Sequence, residues 1–252
     1  MSINMMQLTT TMEKLRITLL ILHAISGTIS LSSGVVSMIT QKGHKYHRTF
    51  GLIYFWSMFG LFATAIPLSI MRSHFFLFCS AIFSFYLAFT GFRHTKNKKP
   101  IFGRIGKKID VSASLLAIGI SVVVLFLALR MIYLGDVHNA IVPIIFSILC
   151  SSFGYADLKH FNHLYAPKEY GITWVFGHLS RMIGSYISAF TAFSIVTFRG
   201  LPENFNWLYP SVLGSIGVLL AVRFYKHKFS HKIVAKVVKN APLVHKNQNV
   251  NE

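Results

Sequence analysis

The sequence predicts an all-α fold: a bundle of seven transmembrane helices with the N-terminus outside and the C-terminus inside. Two observations carry this prediction. Seven apolar runs, most of them as long as a bilayer's hydrocarbon core is thick, alternate with short polar loops. Lysine and arginine are concentrated in every second loop. The first observation predicts the fold class and the second predicts the orientation.

The composition is that of a membrane protein. Of 252 residues, 53% are hydrophobic and 13% are charged, and the mean hydropathy is +0.54. A soluble domain carries about 25% charged residues. A net charge of +18 favours nucleic-acid binding in a soluble protein, but here the charges flank apolar runs, so we expect no nucleic-acid partner. The expected location is the cell inner membrane, as a multi-pass protein with the lipid bilayer as its first partner.

A helix needs about 20 apolar residues to cross the hydrocarbon core. Runs near this length predict spans at residues 15–39, 49–70, 75–92, 111–134, 137–156, 173–198 and 207–223. The first run is longer than the core of a signal peptide and has no cleavage site after it, so we expect it to be retained. Only Gly135 and Asp136 separate the fourth span from the fifth, which predicts a tight antiparallel hairpin.

The basic residues predict which side each loop occupies. Nineteen lysines and arginines lie in the loops after spans one, three and five and after the last span, against five on the other side. The positive-inside rule places the nineteen in the cytoplasm. The predicted membrane domain, residues 1–225, is followed by a basic cytoplasmic tail, residues 226–252.

The tail has a helical pattern of apolar and basic residues. Four apolar residues share one helical face: Ile233, Val234, Val237 and Val238. The lysines that alternate with them in the sequence are Lys232, Lys236 and Lys239. One interpretation is a helix lying on anionic lipids of the inner leaflet. The other is a solvated basic tail that only sets the topology.

Arg181 has the highest free-energy cost of membrane insertion in the sequence, because its charge lies inside the sixth span. The nearest acidic candidates, Asp157 and Glu169, lie at the inner ends of the fifth and sixth spans. One interpretation is that Arg181 extends its guanidinium toward the cytoplasmic surface, beside His178. The other is that it binds an anionic group, such as a carboxylate, a phosphate or a heme propionate.

The predicted spans sort the histidines by depth. His23 lies in the outer half, whereas His47 and His178 both lie near the inner surface and can share a site. His23 and His178 differ in height by roughly 15 Å, so one metal ion cannot join them. His160 and His163 have the i, i+3 spacing that presents two ligands to one metal if their segment is helical.

The two cysteines, Cys79 and Cys150, both lie in apolar runs. Counted from the span ends, their depths differ by roughly 13 Å. We therefore expect two unpaired cysteines, because a disulfide needs Cα atoms closer than about 7 Å.

Two stretches resemble a known family. One is His23 with Gly27 and Gly34, followed by the segment Gly43–Tyr54; the other is His178–Tyr186. They are similar to the bacterial membrane family called domain of unknown function 2306, in which a helix-one histidine precedes a His-Arg, Gly, Tyr element and a later helix opens with a His-Arg-Met-Ser-Tyr element. The matching positions in this sequence are His23, His47, Arg48, Gly51, Tyr54, His178, Met182, Ser185 and Tyr186.

The family has no assigned activity, so the resemblance implies a membrane topology and singles out residues on spans one, two and six. It covers about a third of the chain, and Arg181 is only roughly placed in the family's pattern. The architecture also resembles transmembrane diheme cytochromes, which hold a histidine pair near each membrane face.

Three functional hypotheses follow. The first is an intramembrane His/Arg site, which in its most specific version binds a b-type heme for membrane redox chemistry. The candidate heme ligands are His23, His47 and His178. Arg181 and Arg48 are the candidate anion-binding residues, and the supporting residues are Tyr54, Ser185 and Tyr186. The second is a transporter or a protein that interacts with lipids or small anions. The third is a structural or assembly factor without a small ligand, and a homo-oligomer is compatible with all three. No HExxH, CxxC or GxSxG motif indicates an enzyme, and the sequence identifies no other metal.

Overall fold

The computed structural model describes residues 2–72, 74–98, 103, 105–162, 164, 173–198, 200 and 203–240. Within them the regular structure is entirely helical: α1 (Ser2–Ile39), α2 (Lys45–Arg72), α3 (Phe75–Lys96), α4 (Lys108–Tyr133), α5 (Val137–Phe161), α6 (Thr173–Thr197) and α7 (Glu203–Asn240). In this described part of the chain, seven helices are long and apolar enough to cross a membrane. The predicted fold class, an all-α multi-pass membrane protein, is confirmed.

Several helices extend beyond the predicted spans, because an apolar run marks only the part of a helix that suits lipid. α1 begins at Ser2, and α7 continues to Asn240 without a break at the predicted tail boundary. The consequential difference is in α5, which continues to Phe161 and so contains Asp157 within the helix.

Four helices form the central bundle. α1 packs on α2, α2 on α3, α3 on α6, and α6 on α1. Among the described residues, the backbones of the diagonal pair α2 and α6 do not touch. These two helices run in the same direction, as diagonal helices do in an up-down-up-down bundle. In the described part of the chain, side chains alone therefore bridge the space between α2 and α6.

The remaining helices pack around this bundle. α4 and α5 pack mainly against each other and join the bundle through α3, and α7 packs on α6. The predicted hairpin between α4 and α5 is present: Gly135 turns it with φ +89°, a conformation that favours glycine. The Asp136 carboxylate then accepts a hydrogen bond from the backbone N–H of Asn139 at 3.4 Å and so caps α5.

Buried aromatic and aliphatic side chains fill the two interfaces of α3. Tyr54, Met58 and Ala88 form the apolar core of the bundle. Phe83 and Leu87 belong to a second cluster that faces the α4–α5 hairpin. α3 is thus the helix that links the bundle to the hairpin.

Both cysteines are buried and free, as expected. Their predicted separation in depth is wrong, however, because the helix ends are not level. The Phe146 ring lies 6.0 Å from the Phe76 ring and 5.4 Å from the Phe83 ring, so it is level with the Cys79 region. Cys150, one turn further along α5, is then only about 6 Å deeper, and both cysteines line one small cavity.

The orientation stays a prediction, and reporter fusions test it. Alkaline phosphatase is active only outside the cytoplasm, so we expect a fusion after residue 240 to be inactive and one in the α4–α5 turn at Gly135 to be active. The reverse pattern of activities would contradict the orientation.

Candidate functional site

Two histidines face each other at one end of the four-helix bundle. We call this the basic end: α1 and α3 end there, and α2 and α6 begin there. His47 is the third residue of α2 and His178 the sixth residue of α6, and their rings are in contact at this end. Their ring centroids are 6.3 Å apart, and the ring planes are nearly perpendicular at 86°.

Each of these rings is held by a backbone carbonyl. Nδ1 of His47 lies 2.9 Å from the carbonyl oxygen of Ser37, and Nδ1 of His178 lies 2.8 Å from that of Gly91. A carbonyl oxygen only accepts, so each Nδ1 carries a hydrogen, and in the neutral ring Nε2 keeps its lone pair. Among the described residues neither Nε2 has a hydrogen-bond partner.

All four helices of the bundle contribute to this histidine pair. α2 and α6 supply the rings, and α1 and α3 supply the carbonyls of Ser37 and Gly91. The loop after α1 adds a cation, since Nζ of Lys42 donates to the same Ser37 oxygen at 3.2 Å and also to the carbonyl of Met38. Partial burial lowers the pKa of the Lys42 ammonium.

A layer of tyrosine and serine closes the bundle two turns further into the membrane. The buried Tyr54 hydroxyl lies 2.8 Å from Ser185 Oγ, and each residue is seven positions after a histidine of the pair. The Tyr186 ring lies 6.4 Å from the Tyr54 ring. The predicted supporting residues thus lie together, and they close the bundle on the side of the histidine pair that is away from the basic end.

Gly34 lets α1 approach this layer closely. A Cβ at Gly34 would lie 2.6 Å from the Tyr186 ring, so we expect Gly34→Ala to destabilise the protein by about 1–3 kcal/mol through overpacking. Gly27 on the same helix is the matched control: a Cβ there meets nothing within 4 Å, and Gly27→Ala should be neutral or stabilise by up to about 1 kcal/mol. Thermal melting of both variants in detergent checks the contrast, and equal melting points would contradict it.

Arg181 is buried in an ion pair and does not extend to the surface. Its Nη2 lies 2.7 Å and its Nε 3.3 Å from the two oxygens of Asp157. The Arg181 side chain is 10% exposed and the Asp157 side chain is fully buried. The surface-directed interpretation of Arg181 is therefore wrong, because a carboxylate from α5 meets the guanidinium within the protein. The Phe153 ring, one turn earlier on α5, lies 4.6 Å from the guanidinium carbon.

The same carboxylate also binds two side chains of α3. The Tyr86 hydroxyl donates to Asp157 at 3.0 Å, and Nε2 of His94 lies 3.2 Å from its other oxygen. Asp157 thus accepts from Arg181, Tyr86 and His94 together, which matches the roughly four acceptor sites of a carboxylate. We call these four residues the Asp157 cluster; it joins α3, α5 and α6.

His94 fills the space between the Asp157 cluster and the start of α6. Its buried ring lies so close to Gly177 that a Cβ there would come within 2.5 Å. Its ring centroid is 4.3 Å from that of His160. Among the residues that the structure describes, His94 Nδ1 is buried without a hydrogen-bond partner, and the close approach of Gly177 indicates that this ring is a packing element.

A second ion pair binds α3 to α4 at the basic end. The Arg93 guanidinium donates to both oxygens of Asp110, one of them at 2.9 Å, and the Asn97 amide adds a bond of 3.2 Å. Asp110 is buried with a relative exposure of 1%. The α4–α5 hairpin is therefore tied to the bundle by two buried carboxylates.

The other predicted site residues lie away from the histidine pair. His23 Nδ1 bonds Thr64 Oγ1 at 3.0 Å between α1 and α2, in the half of the bundle away from the basic end, which agrees with the prediction that His23 and His178 do not share a metal. Arg48 is exposed at the start of α2. His163 and Glu169 lie outside the described residues.

Sequence reasoning missed Tyr86 and His94, and it named Asp157 only as a candidate partner at a span end. One signal was available: Ser147, Gly154 and Asp157 continue one helical face of α5. No comparable pattern identified Tyr86 or His94, whose role depends on a carboxylate far away in the sequence.

No protein-family model, curated protein or solved structure matches the chain. The resemblance to the domain of unknown function 2306 therefore stays a prediction.

Proposed function

We propose that this membrane protein holds a b-type heme between His47 and His178 and takes part in electron transfer at the cytoplasmic side of the cell inner membrane. The observation that carries the proposal is the histidine pair: two imidazoles from diagonal helices, 6.3 Å apart, each fixed through Nδ1 by a backbone carbonyl. Cofactor sites in helix bundles are built from facing side chains in this way.

The distance between the rings suits a shared metal ion. A metal–imidazole bond is about 2 Å long and a ring centroid lies roughly 1 Å behind its nitrogen, so two imidazoles on opposite sides of one ion have centroids about 6 Å apart. Histidine ligands also typically donate their other ring N–H to a carbonyl or carboxylate, which fixes the tautomer. Both features are present in His47 and His178.

The number of ligands favours heme over a bare ion. Within the described part of the chain, no three His, Cys, Asp or Glu side chains converge as a metal site. Heme brings four nitrogen ligands of its own, so two histidine side chains would be enough to hold it. When bound, heme would supply a one-electron couple.

The chain's own residues would hold and orient that group. His47 and His178 would bind the iron, and the Tyr54–Ser185 layer would exclude water from the side facing the membrane interior. Because Arg181 is already paired with Asp157, the cations proposed to meet the propionates are Lys42, Lys45 and Arg48 near His47. This assignment changes the role expected for Arg181 from an anion-binding residue to a buried structural cation.

Optical spectroscopy of the purified protein tests the proposal. The protein is produced in cells supplied with a heme precursor, purified in detergent, and reduced with dithionite. We expect Soret and α-bands of a six-coordinate b-type heme and about one heme per chain. A protein that shows neither band, and that binds no added hemin, would overturn the proposal.

A second candidate function, lipid interaction, is favoured by a groove on the outer surface of the helices. The groove has a volume of about 860 Å³ and an almost wholly apolar lining that includes Phe75 and Phe78 of α3 and Gly119 of α4. Native mass spectrometry tests it: Gly119→Phe should reduce bound phospholipid. Gly217→Phe is the matched control, because Gly217 on α7 also has open space around it.

The basic tail is the second place for lipid contact. α7 continues to Asn240 as a helix, and we propose that the lysines where this helix leaves the membrane contact anionic lipid headgroups of the cytoplasmic leaflet. A chain ending at residue 226 should then lose salt-sensitive binding to nanodiscs that contain anionic lipids. A structural or assembly role is the hypothesis that would remain if neither heme nor lipid binding were found.

A further inference from the structure

We infer that Asp157, through Arg181, is the positioning residue of the histidine pair: the ion pair fixes the rotation of α6 and thereby directs His178 toward His47. The inference rests on the proposed function in treating His178 as a ligand. Its test includes a measurement that needs no cofactor.

The first argument is that the ion pair links α5 to α6 directly. Among the described residues the backbones of these helices do not touch. The Arg181 side chain crosses the gap and contacts both oxygens of Asp157, at 2.7 Å and 3.3 Å. A two-point contact of this kind restricts direction as well as distance. The Phe153 ring contacts the same guanidinium from α5.

The second argument is that Arg181 and His178 move as one unit. They are three residues apart on α6, which places them about 60° apart around the helix axis. A rotation of α6 that released Arg181 from Asp157 would therefore turn the His178 ring away from α2. The contact between His47 and His178 depends on this rotation, because the α2 and α6 backbones do not touch in the described residues.

The third argument is that the same carboxylate also positions α3 against the start of α6. Asp157 holds His94 at 3.2 Å, and the His94 ring lies on Gly177, the neighbour of His178. One turn earlier on α3, the Gly91 carbonyl accepts the hydrogen bond from His178 Nδ1. Asp157 thus acts on His178 from both sides, through Arg181 on α6 and through His94 on α3.

The main test removes the bridge without leaving a buried charge. In the double variant Asp157→Asn with Arg181→Met, the asparagine oxygen still accepts a bond from Tyr86 or His94, and neither new side chain is charged. Since replacing a buried ion pair as a unit can be nearly neutral for stability, we expect a melting point close to that of the wild type. The control variant replaces the other buried ion pair in the same way, with Asp110→Asn and Arg93→Met.

The cofactor-free readout is the tautomer of His178, measured by ¹⁵N NMR of the imidazole nitrogens. We expect a dominant Nδ1–H form in the wild type and in the control, and a mixture of tautomers in the double variant. The second readout is hemin affinity, which should fall about 10–100-fold in the double variant, the range typical of residues that orient a ligand. Unchanged tautomer and affinity would overturn the inference and leave the pair a packing element.

If the double variant does not fold, the single variant Arg181→Lys is tested in its place. A lysine keeps the charge but lacks the two-point fork, so we expect a partial shift of the His178 tautomer; an unchanged tautomer would overturn the inference. A wild-type protein with the Nδ1–H tautomer but no heme would overturn the proposed function alone, and the tautomer comparison would still decide the positioning role.

Discussion

Arg181→Met should lower the free energy of unfolding by about 3–5 kcal/mol, because it leaves a buried carboxylate without its charged partner. The Asp157 side chain has no solvent exposure, so water cannot replace the lost guanidinium. Tyr86 and His94 still donate to the carboxylate, but they do not restore the Arg181 charge. Equilibrium unfolding in mixed detergent micelles measures the loss.

Arg48→Met is the matched control for this change. Arg48 is exposed, and substitutions at such positions usually stay within about 0.5 kcal/mol of the wild type. Equal stability of the Arg181 and Arg48 variants would contradict the assignment of Arg181 to a buried ion pair.

His47→Ala and His178→Ala should each abolish the expected six-coordinate heme spectrum, because each removes one of the two histidines proposed to hold the heme. We expect the heme content per chain to fall at least tenfold, while melting changes less than in Arg181→Met. Pyridine hemochrome assay of the purified variants measures the content.

Two histidine variants serve as controls for this prediction. His44 is exposed, three residues before His47, and His23 bonds Thr64 away from the pair. His44→Ala and His23→Ala should both keep the wild-type heme spectrum. Loss of heme in His23→Ala with retention in His178→Ala would move the site to the other end of the bundle.

Much of the fold follows from the sequence because lipid imposes strong rules. A bilayer fixes the length of an apolar run, and the distribution of basic residues predicts the side of each loop. These two rules are enough to place His47 and His178 at the same depth. They are also enough to place His23 at a different one.

The arrangement around the bundle could not be predicted in the same way. Depth is a property of one helix, whereas the meeting of His47 and His178 depends on which helices are diagonal and how each is rotated. The seven-residue spacing from His47 to Tyr54 and from His178 to Ser185 becomes informative only once α2 and α6 are known to run parallel.

The partner of Arg181 shows a second limit. The apolar run of α5 stops at Ala156, so Asp157 counts as a loop residue when the span is drawn from hydropathy. The helix continues to Phe161, and the carboxylate can be buried there because side chains of two other helices donate to it. A buried ion pair of this kind is defined by both of its members, and neither sequence segment shows it alone.

The most direct test of the central claim is electron paramagnetic resonance of the oxidised, purified wild-type protein. Two imidazoles on one ferric heme give a low-spin signal, and we expect that signal alone, with its intensity matching the heme content and its loss in His178→Ala. A wild-type protein whose heme is entirely high-spin, or whose low-spin signal persists without His178, would contradict the pairing of His47 with His178 on one iron.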